Sequence, residues 1–260
     1  LTDVQDEVFR GESVFTYRAE QTRRGVGVTL RVQGDELQFI GKPHQILATQ
    51  KLADTDIVVF YGTTNNDRVI IDASVSAHFD GSIELHGSGG YDRLVIRGSE
   101  LNNHVYIMST EVRMDGMSIY YGNFEKLDIR TGRGDDFMMV TETIDIDMML
   151  AGGRGNDIMV GAGGREFMMG RGGRDVMIGG AASDTMFGNG GEDIVITGIA
   201  DINRAALEQI RDAWAARLPQ AVRINMLKDD LLPIDDGVVD FVFGGFGRDW
   251  VLDDGWDIRL

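Results

Sequence analysis

Hydrophobic residues in this chain come in short runs, and the spacing between runs changes along its length. From residue 27 to about 130 they form β-branched-rich stretches bounded by Gly, Asn and Asp: "VTLRVQGDELQFIG", "DIVVFYG", "DRVIIDAS", "SIELHGSG" and "DRLVIRGS". This patterning predicts strands joined by turns. "VYIMSTEVRMDGMSIYYG" alternates on both sides of "RMDGMS", which predicts a hairpin. "DASVSAHFD", with Ser74, Ser76, His78 and Asp80, reads as a further strand whose alternate residues share a face. Residues 198–230 break the β pattern. Ile202, Ala206, Ile210 and Trp214 recur every fourth residue, predicting one helix over about 201–218, with Asp201 as N-cap and Pro219 just past its end. Residues 1–26 give no readable pattern.

Between the early strands and the helix the runs fall into step. The acid before each apolar run stands at Asp136, Asp147, Asp157, Glu166, Asp175, Asp184 and Asp193, with gaps of 11, 10, 9, 9, 9 and 9 residues. A beat that tightens to nine and locks is the mark of stacked repeats. The same turn chemistry occurs earlier, around Asp67 in "TTNNDRVII" and Asp92 in "GSGGYDRLVI", and returns at Gly244 to Asp249. The phrase is glycine, glycine, any, glycine, any, Asp, any, large apolar, any. Its first six residues make a turn with positions at positive φ, and its last three make a short strand. Two phrases complete an 18-residue lap, so alternate acids fall into columns. Asp157, Asp175 and Asp193 are expected along one edge, Glu166 and Asp184 along the other.

Carboxylates about 4.8 Å apart in a column repel one another. Calcium removes the conflict, because it takes six to eight oxygens and glycine turns expose their carbonyls to it. Binding and folding would then be coupled.

"GGRGNDIMV" and "GGFGRDWVL" resemble the glycine-rich nonapeptide of RTX (haemolysin-type) calcium-binding proteins, over roughly residues 131–197 and 240–254. The order from "GNFEKLDIRTGRGDDFMMV" through the helix to "DDGVVDFVFGGFGRDW" more loosely resembles the ends of large extracellular proteins of planctomycetes and similar bacteria. The resemblance implies a parallel β-roll, calcium binding and export. Carried over onto this chain, it makes the candidate ligands Gly152, Gly153, Gly155, Asp157, Gly170, Gly172, Asp175, Gly179, Asp184, Gly188, Gly190 and Asp193, with Asp136 before them and Gly244, Gly247 and Asp249 after. Several positions depart from the pattern: Glu166 replaces Asp, Ala162, Arg171 and Asn189 replace the second glycine, and Ala182 replaces the fourth-position glycine. The repeat starting at Gly161 is the weakest ligand set, and "TETIDID" before Asp147 has no glycine. Arg165, Arg174 and Arg248 at position five are expected to set positive charge beside the ions.

Composition narrows the partners. The 260 residues carry a formal charge of −17 and a pI near 4.5, which argues against nucleic acid and anionic membranes and for cations. The 35 glycines against 3 prolines fit many tight turns, and the lack of cysteine excludes disulfides and thiolate metal sites. No apolar run approaches the ~20 residues of a membrane span. "LTDVQDEVFRG" carries neither an initiator methionine nor a signal-peptide core, so a removed leader or a longer parent chain is expected. Nine of the 13 methionines lie between residues 137 and 187. Met138, Met149, Met159, Met168, Met177 and Met186 are assigned to the inward position as adaptable core filler, since no His or Cys accompanies them to make a soft-metal site. "RGD" at 133–135 is a string the repeat generates by itself. His44, His78, His86 and His104 are scattered, and no nucleophile set, zinc motif or phosphate loop appears.

These readings predict an all-β fold: a right-handed parallel β-helix or β-roll solenoid with one C-terminal capping helix. Residues 1–26 are left open, 27–130 form an irregular β portion, 131–197 the calcium-binding β-roll, and 198–260 the helix and short β tail. The helix, with Trp214, Trp250 and Trp256 packed where the tail returns, is expected to close the open end, so that removing 198–260 causes aggregation. The expected function is structural, not enzymatic: a secreted or cell-surface protein that folds on meeting calcium, with self-association, other extracellular proteins or glycans as further partners. Two alternatives stand beside it. One is a subunit of an extracellular filament or surface layer, residues 1–26 supplying an exchanged strand. The other is a lyase- or epimerase-like enzyme of acidic polysaccharides, which the net charge disfavours unless the N-terminal half holds a groove of converging Lys, Arg and carboxylates.

Overall fold

The computed structural model describes residues 12–259 apart from 22–23, 43, 200–201, 229–230, 232–233, 235–237 and 253–257. Strands β1 (Val14–Arg18), β2 (Gly27–Gln33), β3 (Glu36–Ile40), β4 (Ile46–Lys51), β5 (Ile57–Tyr61) and β6 (Arg68–Ile71) lead to a short helix, α1 (Ala73–His78). Then come β7 (Ser82–His86), β8 (Arg93–Arg97), β9 (His104–Ile107), β10 (Glu111–Met114) and β11 (Met117–Gly122). The glycine-rich region holds β12 (Lys126–Arg133), β13 (Phe137–Val140), β14 (Asp147–Arg154) and β15 (Ile158–Val160). It continues with β16 (Glu166–Gly172), β17 (Val176–Ile178), β18 (Thr185–Gly190) and β19 (Ile194–Ile196). Helices α2 (Arg204–Ala215) and α3 (Gln220–Leu227) precede β20 (Phe241–Phe246), β21 (Trp250–Leu252) and β22 (Ile258–Arg259).

The strands form two eleven-stranded sheets. One runs β1-β5-β7-β11-β10-β9-β13-β15-β17-β19-β21, the other β22-β20-β18-β16-β14-β12-β8-β6-β2-β3-β4. From β12 to β19 successive strands alternate between sheets, and each pairs in parallel with the strand one lap away. Two antiparallel excursions, β2-β3-β4 and β9-β10-β11, interrupt the coil earlier. The hairpin predicted at "RMDGMS" is present, with Asp115 at φ 53° and Gly116 at φ 95°, both left-handed as a two-residue hairpin turn requires. Inward side chains make one continuous core from Phe15 to Val242.

Several expectations need correction. "ASVSAH" is helix α1: Asp72 caps it by accepting the Ser74 N–H at 3.1 Å, so the serines and His78 do not line a strand face. Residues 14–18 form β1, which pairs with β5 of the same chain, leaving no exchanged strand there; residues 1–11 lie outside the described set. Asp147 is exposed and accepts the Tyr91 hydroxyl at 2.5 Å, and the strand it opens buries Met148 and Leu150 while turning Met149 outward. The glycine-free loop before it shifts the phase by one, and strand alternation does the rest. Met138, Met159, Met168, Met177 and Met186 are buried as expected, Met138, Met159 and Met177 in register on adjacent strands.

The single capping helix is in fact two helices, and they cover a flank. Asp201 lies outside the described residues; Asn203 caps α2, accepting the Ala206 N–H at 3.1 Å. Pro219 starts α3, where its fixed φ suits a helix entry. Leu207, Ile210 and Trp214 of α2 and Leu227 of α3 pack on Phe137, Ile158, Val176 and Ile194, which face outward from the first sheet. In β15, β17 and β19 only the middle residue points into the core, yet both neighbours are apolar as well. That second apolar surface is what the helices bury, at about 1.5–3 kcal/mol per large side chain. The last strands of the stack are β21 and β22. Trp250 lies 5.8 Å from Trp214, ring to ring, while Trp256 falls outside the described residues. No helix among the described residues is long and apolar enough to cross a membrane.

Candidate metal centre

The nine-residue phrase folds into turns that carry the chain from one sheet to the other. Positions two and four take left-handed backbone, as at Gly153 (φ 132°) and Gly155 (φ 124°). Where the sequence substitutes, the conformation persists: Arg171 stands at φ 82°, Asn189 at 73° and Ala182 at 81°. The turn from Gly161 to Glu166 is the exception, with neither Ala162 nor Gly164 left-handed, in line with its expected weakness as a ligand set. Glycine at position one has a different cause. A methyl on Gly170 would collide with Oδ2 of Asp175, and the same holds for Gly152 with Asp157, Gly188 with Asp193 and Gly244 with Asp249.

The acids do fall into two columns. In the first, Asp136, Asp157, Asp175 and Asp193 are fully buried. Each donates its backbone N–H to Oδ1 of the next acid, at 2.9 Å for Asp136 to Asp157, Asp157 to Asp175, Asp175 to Asp193 and Asp193 to Asp249. Upstream, Asn103 donates to Asp136 and Asp67 to Asp92, both at 2.7 Å, so the ladder's chemistry predates the dense repeats. In the second column, Glu166 donates to Asp184 at 2.8 Å and Asp184 to Asp240 at 2.7 Å. Asp240 was missed from the sequence, although it stands nine residues before Asp249 and directly before an apolar run.

One oxygen of each carboxylate is thus committed to the backbone. The other, Oδ2 of Asp157, Asp175 and Asp193, is buried with no hydrogen-bond partner among the described residues. Burial raises Asp136 to about 6 and Asp157 and Asp193 to about 7. Asp175 rises to about 9, through burial first and then the Asp157 charge. Glu166 and Asp184 are also raised, again chiefly by burial. Buried carboxyls with idle oxygens cost free energy unless they are protonated or meet a cation. Among the described residues no three acidic or imidazole side chains converge on one point. A cation here would therefore combine the idle oxygen of one or two acids with turn carbonyls, an all-oxygen set suited to calcium and unsuited to soft metals.

At Arg174, position five behaves unlike the expectation. Arg174 does not sit beside the column. It turns to the end of α2, donating to the carbonyls of Ala215 at 3.2 Å and Ala216 at 3.0 Å, and pairs with Glu192 at 3.1 Å. Glu192 also holds the buried Arg223, whose guanidinium lies 4.3 Å from the centre of the Trp214 ring and donates to the Trp214 carbonyl at 2.7 Å. These side chains anchor the helices to the roll.

No curated protein and no solved structure matches the chain. A family model does match: the RTX calcium-binding nonapeptide repeat, in four copies, over residues 149–167 and 169–199. Those residues contain the buried acids Asp157, Glu166, Asp175, Asp184 and Asp193, so the chain carries a run of RTX calcium-binding repeats folded as a β-roll.

Proposed function

We propose that this is a secreted or cell-surface structural protein whose right-handed β-roll is completed by calcium bound along the two acid columns. The observation that carries the reading is the row of buried carboxylates, Asp157, Asp175 and Asp193, each with Oδ2 unpartnered in a turn of glycine carbonyls. At low calcium these groups oppose folding; in calcium-rich surroundings they drive it. The handedness follows the general rule for parallel crossover connections. The role is one of binding and architecture rather than catalysis. The test is a calcium titration of the chelated protein, followed by far-ultraviolet circular dichroism and thermal melting. Calcium should raise both β-signal and Tm, and magnesium should substitute poorly because it holds tightly to its own waters. Unchanged melting in calcium would refute the reading.

A further inference from the structure

The outward face of the second sheet carries charge of the opposite sign to the molecule as a whole. Across strands in register, Arg68, Arg93 and Lys126 form one row that ends at Asp147, Arg97 (paired with Asp72 at 3.5 Å) and Arg130 a second, and Arg133 and Arg154 a third. The crowding lowers the pKa of Arg68, through burial first and then the charges of Arg93, Arg97 and Arg130. Asp128, fully buried beneath this face, pairs with Arg93 and lies 3.5 Å from Arg130, fixing both. Beside it runs a groove of about 670 Å³ lined by Arg97, Arg130, Arg133, Arg154 and Arg171, with Glu100 as its acid. Glu100 is 78% exposed and reaches only Arg133, at 3.6 Å. The side chains of Arg97, Arg130 and Arg133 remain 44, 39 and 58% exposed, so a ligand can reach them.

Arg171 is the telling residue. With Asn189 it interrupts the register row of Gly132, Gly153 and Gly245, at φ 82°, where a bulky side chain costs on the order of 1–2 kcal/mol. Neither the turn nor the acid column needs a guanidinium there. The same face continues past the groove as an aromatic ladder, Phe167 lying 5.2 Å from Phe187 and Phe187 stacked 4.5 Å from Phe243. Helices cover the corresponding strands of the other sheet, whereas Phe167 and Phe241 here stay exposed.

We propose that this face binds an acidic sugar chain, its carboxylates held by the arginines of the groove and its rings lying toward the phenylalanines. Guanidinium forks match carboxylates in bidentate geometry. Arginines on neighbouring strands stand about 4.8 Å apart, a spacing suited to one charge per sugar. Nucleic acid, with a charge about every 3.4 Å on each strand, fits that spacing less well and meets the −17 of the rest of the molecule along its length. A short sugar chain avoids that repulsion, because exposed charges beyond about 8–10 Å are screened.

The test uses the whole protein at fixed calcium and low salt, with calorimetric titration of a short oligogalacturonate. Its methyl ester and a single-stranded DNA of equal charge are the controls. The proposal expects binding of the acid and none of the ester. It also expects a loss of about tenfold or more in affinity for the double variant Arg97→Gln, Arg130→Gln, two groove residues on β8 and β12 outside the glycine turns. The calcium-induced rise in Tm should be unchanged in that variant, which keeps this proposal separable from the calcium reading. Absence of binding, equal affinity in the variant, or DNA bound as tightly as the uronate would each overturn it.

Discussion

Replacing Asp175 by Asn should raise calcium-free stability and shrink the stability that calcium adds. Asparagine keeps Oδ1, and with it the 2.9 Å bond from the Asp157 N–H. What changes is the second oxygen, which is buried without a partner in a carboxyl raised to about 9. In chelator at pH 7.5, folding has to keep this group protonated. Against an ordinary value of 3.8, that costs about 5 kcal/mol at 1.4 kcal/mol per unit. Asparagine has no such cost, but its NH₂ enters a place with no acceptor, which returns about 1–3 kcal/mol. The net gain is about 2–4 kcal/mol, or roughly 5–15 °C in Tm for a chain of this size. Calcium then adds less to the variant than to the parent chain, because the variant gives up a charged ligand facing two neighbouring laps. A hundredfold weaker site forfeits about 2.7 kcal/mol of calcium stabilisation. The assay is thermal melting with chelator and with millimolar calcium, with the exposed Asp145→Asn as control. A variant that melts lower in chelator and keeps the full calcium shift would refute the charge-column argument.

Acidification should separate the two states in the same way. Asp136, Asp157, Asp175 and Asp193 have folded values of about 6, 7, 9 and 7, all above the unfolded value of 3.8, so their protonated forms favour the calcium-free fold. That stability is fully present below the unfolded value and is lost as pH rises through 6 to 9, so Tm in chelator should fall from pH 5 to pH 9. In calcium, which needs the ionised acids, Tm should instead fall toward pH 5; parallel profiles would contradict both columns' role. Glu192→Ala leaves the buried Arg223 without its carboxylate and should cost about 3–5 kcal/mol in urea unfolding. Adding Arg223→Met should recover much of that loss, and no recovery would mean the pair is not coupled. Deleting residues 202–239 leaves Asp193 and Asp240 at the repeat's own nine-residue interval while exposing the outer row of Phe137, Ile158, Val176 and Ile194. Light scattering should then show self-association with the calcium response kept; a monodisperse product would show that the flank needs no cover.

The acid columns were legible because their causes are local. Position one must be glycine to clear the carboxylate, positions two and four turn left-handed in every repeat but the one at Gly161, and position six supplies the acid, so spacing alone gives Asp157, Asp175 and Asp193 one edge and Glu166 and Asp184 the other. Legibility ended where the local rule was diluted. Asp147 keeps the acid but lacks the glycine turn, and its strand starts one residue out of phase, so Met148 rather than Met149 faces inward. Asp240 keeps the spacing to Asp249 but follows the helical insert, so it reads as tail. "ASVSAH" carries β-like alternation, yet Asp72 supplies a cap and the chain closes a helical turn first.

Net charge hides a second pattern for a related reason. A figure of −17 adds side chains that never share a surface: the repeat acids point inward, into turns, while arginines set 25, 33 and 21 residues apart meet on the outer face of one sheet. That second pattern follows the length of each lap, and the early laps are uneven, so no fixed period exposes it. Position five makes the same point at a single site. Arg174 and Glu192, one lap apart, bind the helices, and Arg248, at the same position one lap further on, offers its carbonyl to Gln220 instead. A repeat fixes what its backbone demands and leaves the outward side chains free. The calcium chemistry therefore follows from the period, whereas any ligand peculiar to this chain must be read from residues such as Arg171 that occupy a glycine's place.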